Sequence, residues 1–345
     1  MRMTCAVIGL ALLWSCSTDG ISPEGNAYGF QKPVNFPAAT YTFENNSITK
    51  DGFELGRALF YDPILSADST IACANCHQQV RSFSDPVHRF SKGINDVSGI
   101  RNAPAIQNMA FQNHFFWDGG VHHLDFVPIN AITNSIEMAE KLDHVVDKLN
   151  GSSFYADKFQ HAFGIREVNS QKMLFALSQF MNMLISADSR YDYYIRNDGG
   201  SLSNDELQGL TLFRAKCGAC HATDLFTDQS FRNNGIDQTF KQDSGRQRIT
   251  EFSGDRGKFK VPSLRNAEVT FPYMHDGRFR TLEEVLNHYQ QSVKDSETLD
   301  SILKQNGSLG ISLTDDEKTK IIVFIKTLTD QNFMKDKRFS NPFKK

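Results

Sequence analysis

A chain of 345 residues is long enough for two domains with real cores, and its 40% hydrophobic and 22% charged content is that of an ordinary soluble globular protein. A net charge of −3 leaves no basic footprint, which argues against nucleic acid as a partner. Four of the six cysteines fall in two five-residue motifs and the other two are Cys5 and Cys16, so no pair remains for a structural disulfide in the folded body.

Residues Met1 to Ser15 carry one basic residue, Arg2, and then an apolar run from Ala6 to Trp14. The run is too short to span a bilayer as a mature helix and reads as the core of a signal peptide over residues 1–16. Its end, Leu13-Trp14-Ser15-Cys16, resembles a bacterial lipoprotein cleavage box, on which reading Cys16 becomes a lipid-anchored first residue. Trp14 is bulky for such a box, which keeps plain cleavage or an uncut anchor open as alternatives. Residues 17–49 are polar, contain Gly, Pro and Asn, and lack periodicity, the pattern of a tether.

Folded sequence begins near Gly52, where Phe53, Leu55, Leu59 and Phe60 make a short amphipathic helix. A loop then leads to Cys73-Ala74-Asn75-Cys76-His77, and a twin motif, Cys217-Gly218-Ala219-Cys220-His221, follows later. C-x-x-C-H is the attachment signature of c-type haem. Thiols three residues apart lie on one face of a helical turn and reach the two haem vinyl groups, and the adjacent imidazole coordinates the iron. Paired C-x-x-C units also bind zinc, but zinc does not require a His after each second Cys. With 10 His in 345 residues, two such placements by chance are on the order of one in a thousand.

Between the motifs, helical patterns run over about 136–149 and 170–186. The second carries Met173, Leu174, Leu177, Phe180, Met181 and Leu184 at helical spacing, a core stripe. Tyr191 to Ser201 is polar with a Gly-Gly and marks a boundary between an N-terminal domain, 50–195, and a C-terminal domain, 196–345. Ser203 and Glu206 form a capping box ahead of Leu207, Leu210, Leu212 and Phe213, and Thr314 and Glu317 cap a helix with Ile321, Ile322, Phe324, Ile325 and Leu328 on its apolar face. Downstream of each haem motif, Arg101-Asn102-Ala103 leads to Trp117-Asp118-Gly119, and Arg265-Asn266-Ala267 leads to His275-Asp276-Gly277. Strand signals are nearly absent. The expectation is a mainly α fold of two cytochrome c-like haem domains side by side, arisen by duplication.

Together these segments give the chain a resemblance to the bacterial di-haem cytochrome c peroxidase family, which includes the MauG-type enzymes. The likeness covers roughly residues 50–330. It rests on Leu55-Gly56-Arg57-Ala58-Leu59-Phe60-Tyr61-Asp62-Pro63, the two C-x-x-C-H motifs, Arg101-Asn102-Ala103-Pro104, Phe116-Trp117-Asp118-Gly119, Ile136-Glu137-Met138, Val261-Pro262-Ser263-Leu264-Arg265-Asn266, Pro272-Tyr273-Met274-His275-Asp276-Gly277 and Leu282-Glu283-Glu284-Val285.

The resemblance implies two covalent haem c groups, held by Cys73, Cys76 and His77 and by Cys217, Cys220 and His221. It implies a cytochrome-c peroxidase type oxidoreductase in which hydrogen peroxide reacts at the haem on His77. Electrons from a small cytochrome c or cupredoxin would enter at the haem on His221. Glu137 matches the catalytic acid/base, which moves the proton between the peroxide oxygens during O–O cleavage. On the residues alone, Glu137 also reads as a first-turn helix residue favoured by the dipole of a helix opening near Ile136. Trp117 matches the residue that couples the haems, besides being a large apolar side chain to bury. Asn102, Thr270 and Pro272 fall where the family binds an inter-haem calcium ion. Export to the periplasm or cell envelope follows from where bacteria attach haem c, and the resemblance also allows a homodimer.

The chain departs from the family in four places. Ile94 stands where classical members carry a removable His ligand, and Ile cannot ligate iron; His88, six residues off, is the substitute in reach. The expectation is an open peroxidatic haem that needs no prior reduction. Tyr289 stands where classical peroxidases place a Met ligand and MauG a Tyr, with Met274 as the alternative sixth ligand and His288 and His275 as weaker rivals. Ala215 replaces the MauG-type Trp two residues before the second motif, and Val127 replaces a Gln near the catalytic acid. The reading is therefore a peroxidase, with MauG-like oxidation of a protein or small molecule, or a di-haem electron carrier without catalysis, as alternatives.

Overall fold

The structure is a computed structural model that describes residues 28–85, 87–305 and 307–344. The expected signal segment and Cys16 lie outside the described residues, as do positions 17–27 of the expected tether.

Helix α1 (Lys50–Tyr61) starts on Thr49, whose side chain accepts from Gly52 N, and buries Phe53, Leu55, Leu59 and Phe60. The first haem motif forms one turn, α2 (Cys73–Cys76). Four helices follow: α3 (Val127–Thr133), α4 (Leu142–Asn150), α5 (Ser153–Phe163) and α6 (Ser170–Asn182). After the short α7 (Arg190–Ile195), α8 (Asn204–Lys216) begins on the Ser203/Glu206 capping box and ends at the second haem motif. The remainder holds α9 (Gln247–Thr250), α10 (Leu282–Asn287), α11 (Asp315–Lys326), capped by Thr314 and Glu317, and α12 (Gln331–Lys335). Among the described residues, strands are confined to four two-residue pieces in two antiparallel pairs, one of them β1 (Phe231–Arg232) with β2 (Phe259–Lys260). The fold is mainly α, as the periodicities indicate.

Two helix crossings build two cores, and they are copies of each other. Helix α1 crosses α6 at Gly56, where a Cβ would lie 1.9 Å from Ala176 O and 3.0 Å from Phe180 Cβ. Helix α8 crosses α11 at Gly209, where a Cβ would lie 2.1 Å from Lys320 O and 2.9 Å from Phe324 Cβ. In both, a glycine admits the backbone of an opposing helix and an aromatic side chain one turn further on covers it. The first core includes all six stripe residues from Met173 to Leu184; the second closes on a ring cluster of Tyr191, Phe213, Phe226 and Phe324.

The correspondence between the two halves extends to the x-D-G segments. Phe115 pairs with Val121 and Tyr273 with Phe279 across tight hairpins. Phe116 and Met274 have φ of 65° and 72°, and Gly119 and Gly277 have 69° and 63°. The glycine closes each turn in the left-handed region at little cost, which explains why D-G recurs. Trp117 and His275 therefore occupy equivalent places. The second hairpin meets the first Arg-Asn segment: Asn102 N donates to His275 O at 2.7 Å.

Several sequence expectations need correction. Residues 28–49 are not a tether. Phe36 and Tyr41 are buried, the backbone N–H groups of Thr40 and Tyr41 both donate to Ala110 O, and Asn46 bonds to Tyr41 and to Phe175 O. Isolated aromatic residues without periodicity gave no sign that they plug the first core. The helix expected from Ile136 begins only at Leu142, because Ala139 takes φ 53° and the preceding residues wrap into a turn on Asn134. Tyr191 to Ile195 is not open linker but helix α7, started by a Ser189/Asp192 capping box and packed on the second core. The C-terminal segment also crosses over: Phe333, Met334 and Phe339 join the first core, and Tyr61 Oη donates to Phe339 O at 2.7 Å.

Candidate active site

Both haem motifs fold to the same local geometry. His77 N donates to Cys73 O and His221 N to Cys217 O, each at 3.0 Å, closing one helical turn around the two cysteines. Each imidazole places Nδ1 3.0 Å from a carbonyl oxygen, that of Phe83 for His77 and of Phe226 for His221. A carbonyl only accepts, so Nδ1 holds the proton and Nε2 keeps the lone pair that a metal needs. Burial lowers both imidazole pKa values and favours this neutral form. None of the four cysteines is in a disulfide, and burial raises each thiol pKa, to about 12 for Cys73 and Cys217 and about 11 for Cys76. Among the described residues no three His, Cys, Asp or Glu side chains converge as a metal site. Neutral, oriented imidazoles beside paired thiols fit two c-type haems.

One cavity joins the two motifs. His77, Trp117, His221, Met274, His275 and Tyr289 all line it, and so do Asn102, Thr270 and Pro272. Trp117 is fixed at both ends: its Nε1 donates to Asn102 O at 2.8 Å, and its carbonyl accepts from Lys260 N at 2.8 Å. Asn102 is itself tied down, with its side-chain amide donating to Arg89 O.

Glu137 lies apart from this cavity, on the Cys73–Cys76 side, where its charge opposes thiolate formation at both cysteines. Asn134 Nδ2 donates to Glu137 Oε1 at 2.7 Å. The residue is exposed, while partial desolvation raises its carboxyl pKa despite the Asn134 bond. It belongs to a turn and not to a first helical turn, so the helix-dipole reading does not apply.

Around the expected ligands the side chains sort themselves. Ile94 is buried, and its N–H donates to Glu137 O at 2.8 Å. His88 is paired with Asp85 at 3.1 Å and does not line the cavity. On the other side, Asn234 Nδ2 donates to Met274 Sδ at 3.3 Å. Burial pushes Tyr289 up to about 12. His288 is occupied by Asn234 O at 3.0 Å, and His275 stacks on Phe259 with ring centroids 3.6 Å apart. Val127 lines the cavity, whereas Ala215 is exposed on α8. Asn234, Gly93 and Lys260 were invisible to motif reasoning, since each acts through a partner far along the chain.

The family model for di-haem cytochrome c peroxidases matches residues 50–200. The methylamine utilization protein MauG of Methylorubrum extorquens is 32% identical over 302 residues, covering 87% of this chain and 83% of its own. This chain belongs to the di-haem cytochrome c peroxidase family. Membership implies an oxidoreductase with two haem c groups, in agreement with the donor sets above. A cytochrome c551 peroxidase of Nitrosomonas europaea is 31% identical over 321 residues, covering 92% of this chain and 90% of its own. Among solved structures, a MauG-like protein associated with microbial copper homeostasis superposes with a TM-score of 0.84 at 30% identity, over 92% of this chain and all of that one. Both branches of the family, peroxidase and MauG, are thus represented among its relatives. Among the described residues no helix is long and apolar enough to cross a membrane.

Proposed function

We propose that this chain is an exported di-haem peroxidase that reduces hydrogen peroxide to two molecules of water. It would take two electrons from a small cytochrome c or cupredoxin and two protons from solvent. The observation that carries this reading is the pairing of Glu137 with the Ile94 loop beside the first haem motif: a carboxyl group of raised pKa next to a residue that cannot ligate iron. Haem supplies the redox and Lewis-acid chemistry. Glu137 takes the proton from one peroxide oxygen and returns it to the other, a task suited to a carboxyl group whose pKa is raised above its ordinary value. Trp117, held between Asn102 and Lys260, couples the two haems, and electrons enter on the His221 side. Asn102, Thr270 and Pro272 all line the cavity and carry neutral oxygens, a donor type that suits calcium. The periplasm or cell envelope is the compartment this chemistry implies, with a lipid on Cys16 as one mode of attachment.

Tyr289 favours a second reading, MauG-like oxidation of a partner protein or small molecule. A Tyr oxygen ligand favours ferric iron and lowers the potential, whereas a Met thioether raises it. Steady-state turnover of peroxide with reduced cytochrome c separates the two readings. The peroxidase reading expects turnover that collapses in Glu137→Gln; equal rates in the two proteins would overturn it.

A further inference from the structure

We infer that Lys260 is a binding residue for a haem carboxylate in the cavity between the two haem motifs. The inference rests on the two-haem reading and adds a contact that lies outside the attachment motifs. Lys260 ends β2, next to Trp117, and its side chain lines the shared cavity. Nζ donates to Gln112 Oε1 at 2.6 Å, a neutral amide, and among the described residues no carboxylate lies within ion-pair distance of it. The other cations on this cavity are provided for. Arg232 is paired with Asp228 at 2.8 Å and Asp300 at 2.9 Å, and Lys216 with Glu317 at 3.4 Å. Lys260, partly buried like the other two, alone has no counter-ion, and desolvation moves its ammonium pKa down to about 8.

An ammonium removed from water without an anion is costly, and proteins retain one where a partner or ligand supplies the charge. Each haem carries two carboxylates, the only anions that this cofactor brings with it. A lysine suits the task, because a point charge on a flexible stem meets a carboxylate without the fixed planar geometry that arginine imposes. The strand also carries the hydrogen bond to the Trp117 carbonyl, so the segment that anchors the haem edge also holds the backbone of Trp117, which lines the same cavity.

The test uses the full protein with both haems attached, counted by the pyridine haemochrome assay. Reduction potentials of the two haems are measured by spectroelectrochemical titration, with redox-induced infrared difference spectra of the carboxylate bands, in wild type, Lys260→Met and Lys260→Arg. Removal of a positive charge beside a haem carboxylate disfavours reduction. In Lys260→Met at least one haem therefore becomes about tenfold harder to reduce, equivalent to about 59 mV for one electron, and the carboxylate bands shift. Lys260→Arg keeps wild-type potentials. Potentials and bands that do not move in Lys260→Met overturn the proposal, as does an equal shift in Lys260→Arg, which would report disturbed packing. Where Met prevents folding, Lys260→Gln replaces it with the same expected shifts. A wild type with fewer than two haems would instead sink the two-haem reading itself.

Discussion

The backbone N–H of Ile94 donates to the carbonyl oxygen of Glu137 across 2.8 Å. The loop that lacks a ligating histidine is thereby bolted to the turn that carries the proposed catalytic carboxylate. Gly93 makes the approach possible, since a Cβ there would lie 2.3 Å from Ile136 O and 2.4 Å from Glu137 O. Ligand absence and acid position are one local arrangement, which makes both testable together.

Ile94→His places an imidazole where classical family members keep one. The ferric spectrum of the first haem should change from open to six-coordinate low-spin, and peroxide turnover should then require prior reduction. Paramagnetic resonance, with activity assays before and after half-reduction, reads both changes. A wild type already six-coordinate and low-spin at both irons would sink the idea.

Glu137→Gln should lower kcat by about a hundredfold or more, the range of a lost general acid/base. The proton acceptor must be ionised at the start of the cycle. Because burial raises its pKa, activity should fall with decreasing pH at a higher pH than the ordinary glutamate value of about 4.3. The acid limb of the pH–kcat profile should be absent in Glu137→Gln; an unaltered limb would assign it to another group.

Tyr289→Phe tests the second iron. Loss of a phenolate ligand should remove its charge-transfer absorption and raise the potential of that haem, with Met274, held through Asn234, as the side chain poised to replace it. Identical optical spectra in wild type and variant would exclude Tyr289 as a ligand.

Arg265 and Asp192 form a fully buried ion pair, 2.7 Å between Nη2 and Oδ1, with the guanidinium 4.4 Å from the Phe36 ring centroid. Arg265→Met should cost about 3–5 kcal/mol by stranding a buried carboxylate, read as a lower denaturation midpoint. Arg265→Met with Asp192→Leu should recover most of the loss. Burial by itself would raise the Asp192 carboxyl pKa, but the hydrogen bonds and charge of Arg265, with help from Ser189, hold it below the ordinary value. Its stabilisation is therefore present above about pH 4, the unfolded carboxylate range, and is lost only as pH falls through the depressed native value. A wild-type midpoint that already drops between pH 7 and 5 through this pair would contradict it.

Gly56→Ala and Gly209→Ala should each destabilise by about 1–3 kcal/mol, because a methyl group must push apart two packed helices. Calorimetry should show similar penalties for the two, as expected of duplicated crossings. A penalty in only one would argue that the two cores differ in their capacity to relax.

What could be read from the chain itself was what is encoded within a few residues. C-x-x-C-H closes on its own helical turn, Ser203 and Thr314 cap the helices they precede, and Asp-Gly marks the two hairpins because only a nearby φ above zero completes them. The helix stripe of Met173 to Leu184 likewise declared its buried face through a period of 3.6. Tertiary structure decided everything that depends on partners distant in sequence. Phe36 and Tyr41 look like tether residues until Ala110 and the first core receive them. Glu137 looks like a helix start until Asn134 and Ile94 fold it into a turn. Lys260 carries no motif at all, and its significance arises only when Trp117, His77 and His221 meet around one cavity. The physical reason is shared: local spacing fixes backbone geometry within a turn or two, whereas burial, charge compensation and site geometry are properties of surfaces that exist only after residues from separate segments of the chain have come together.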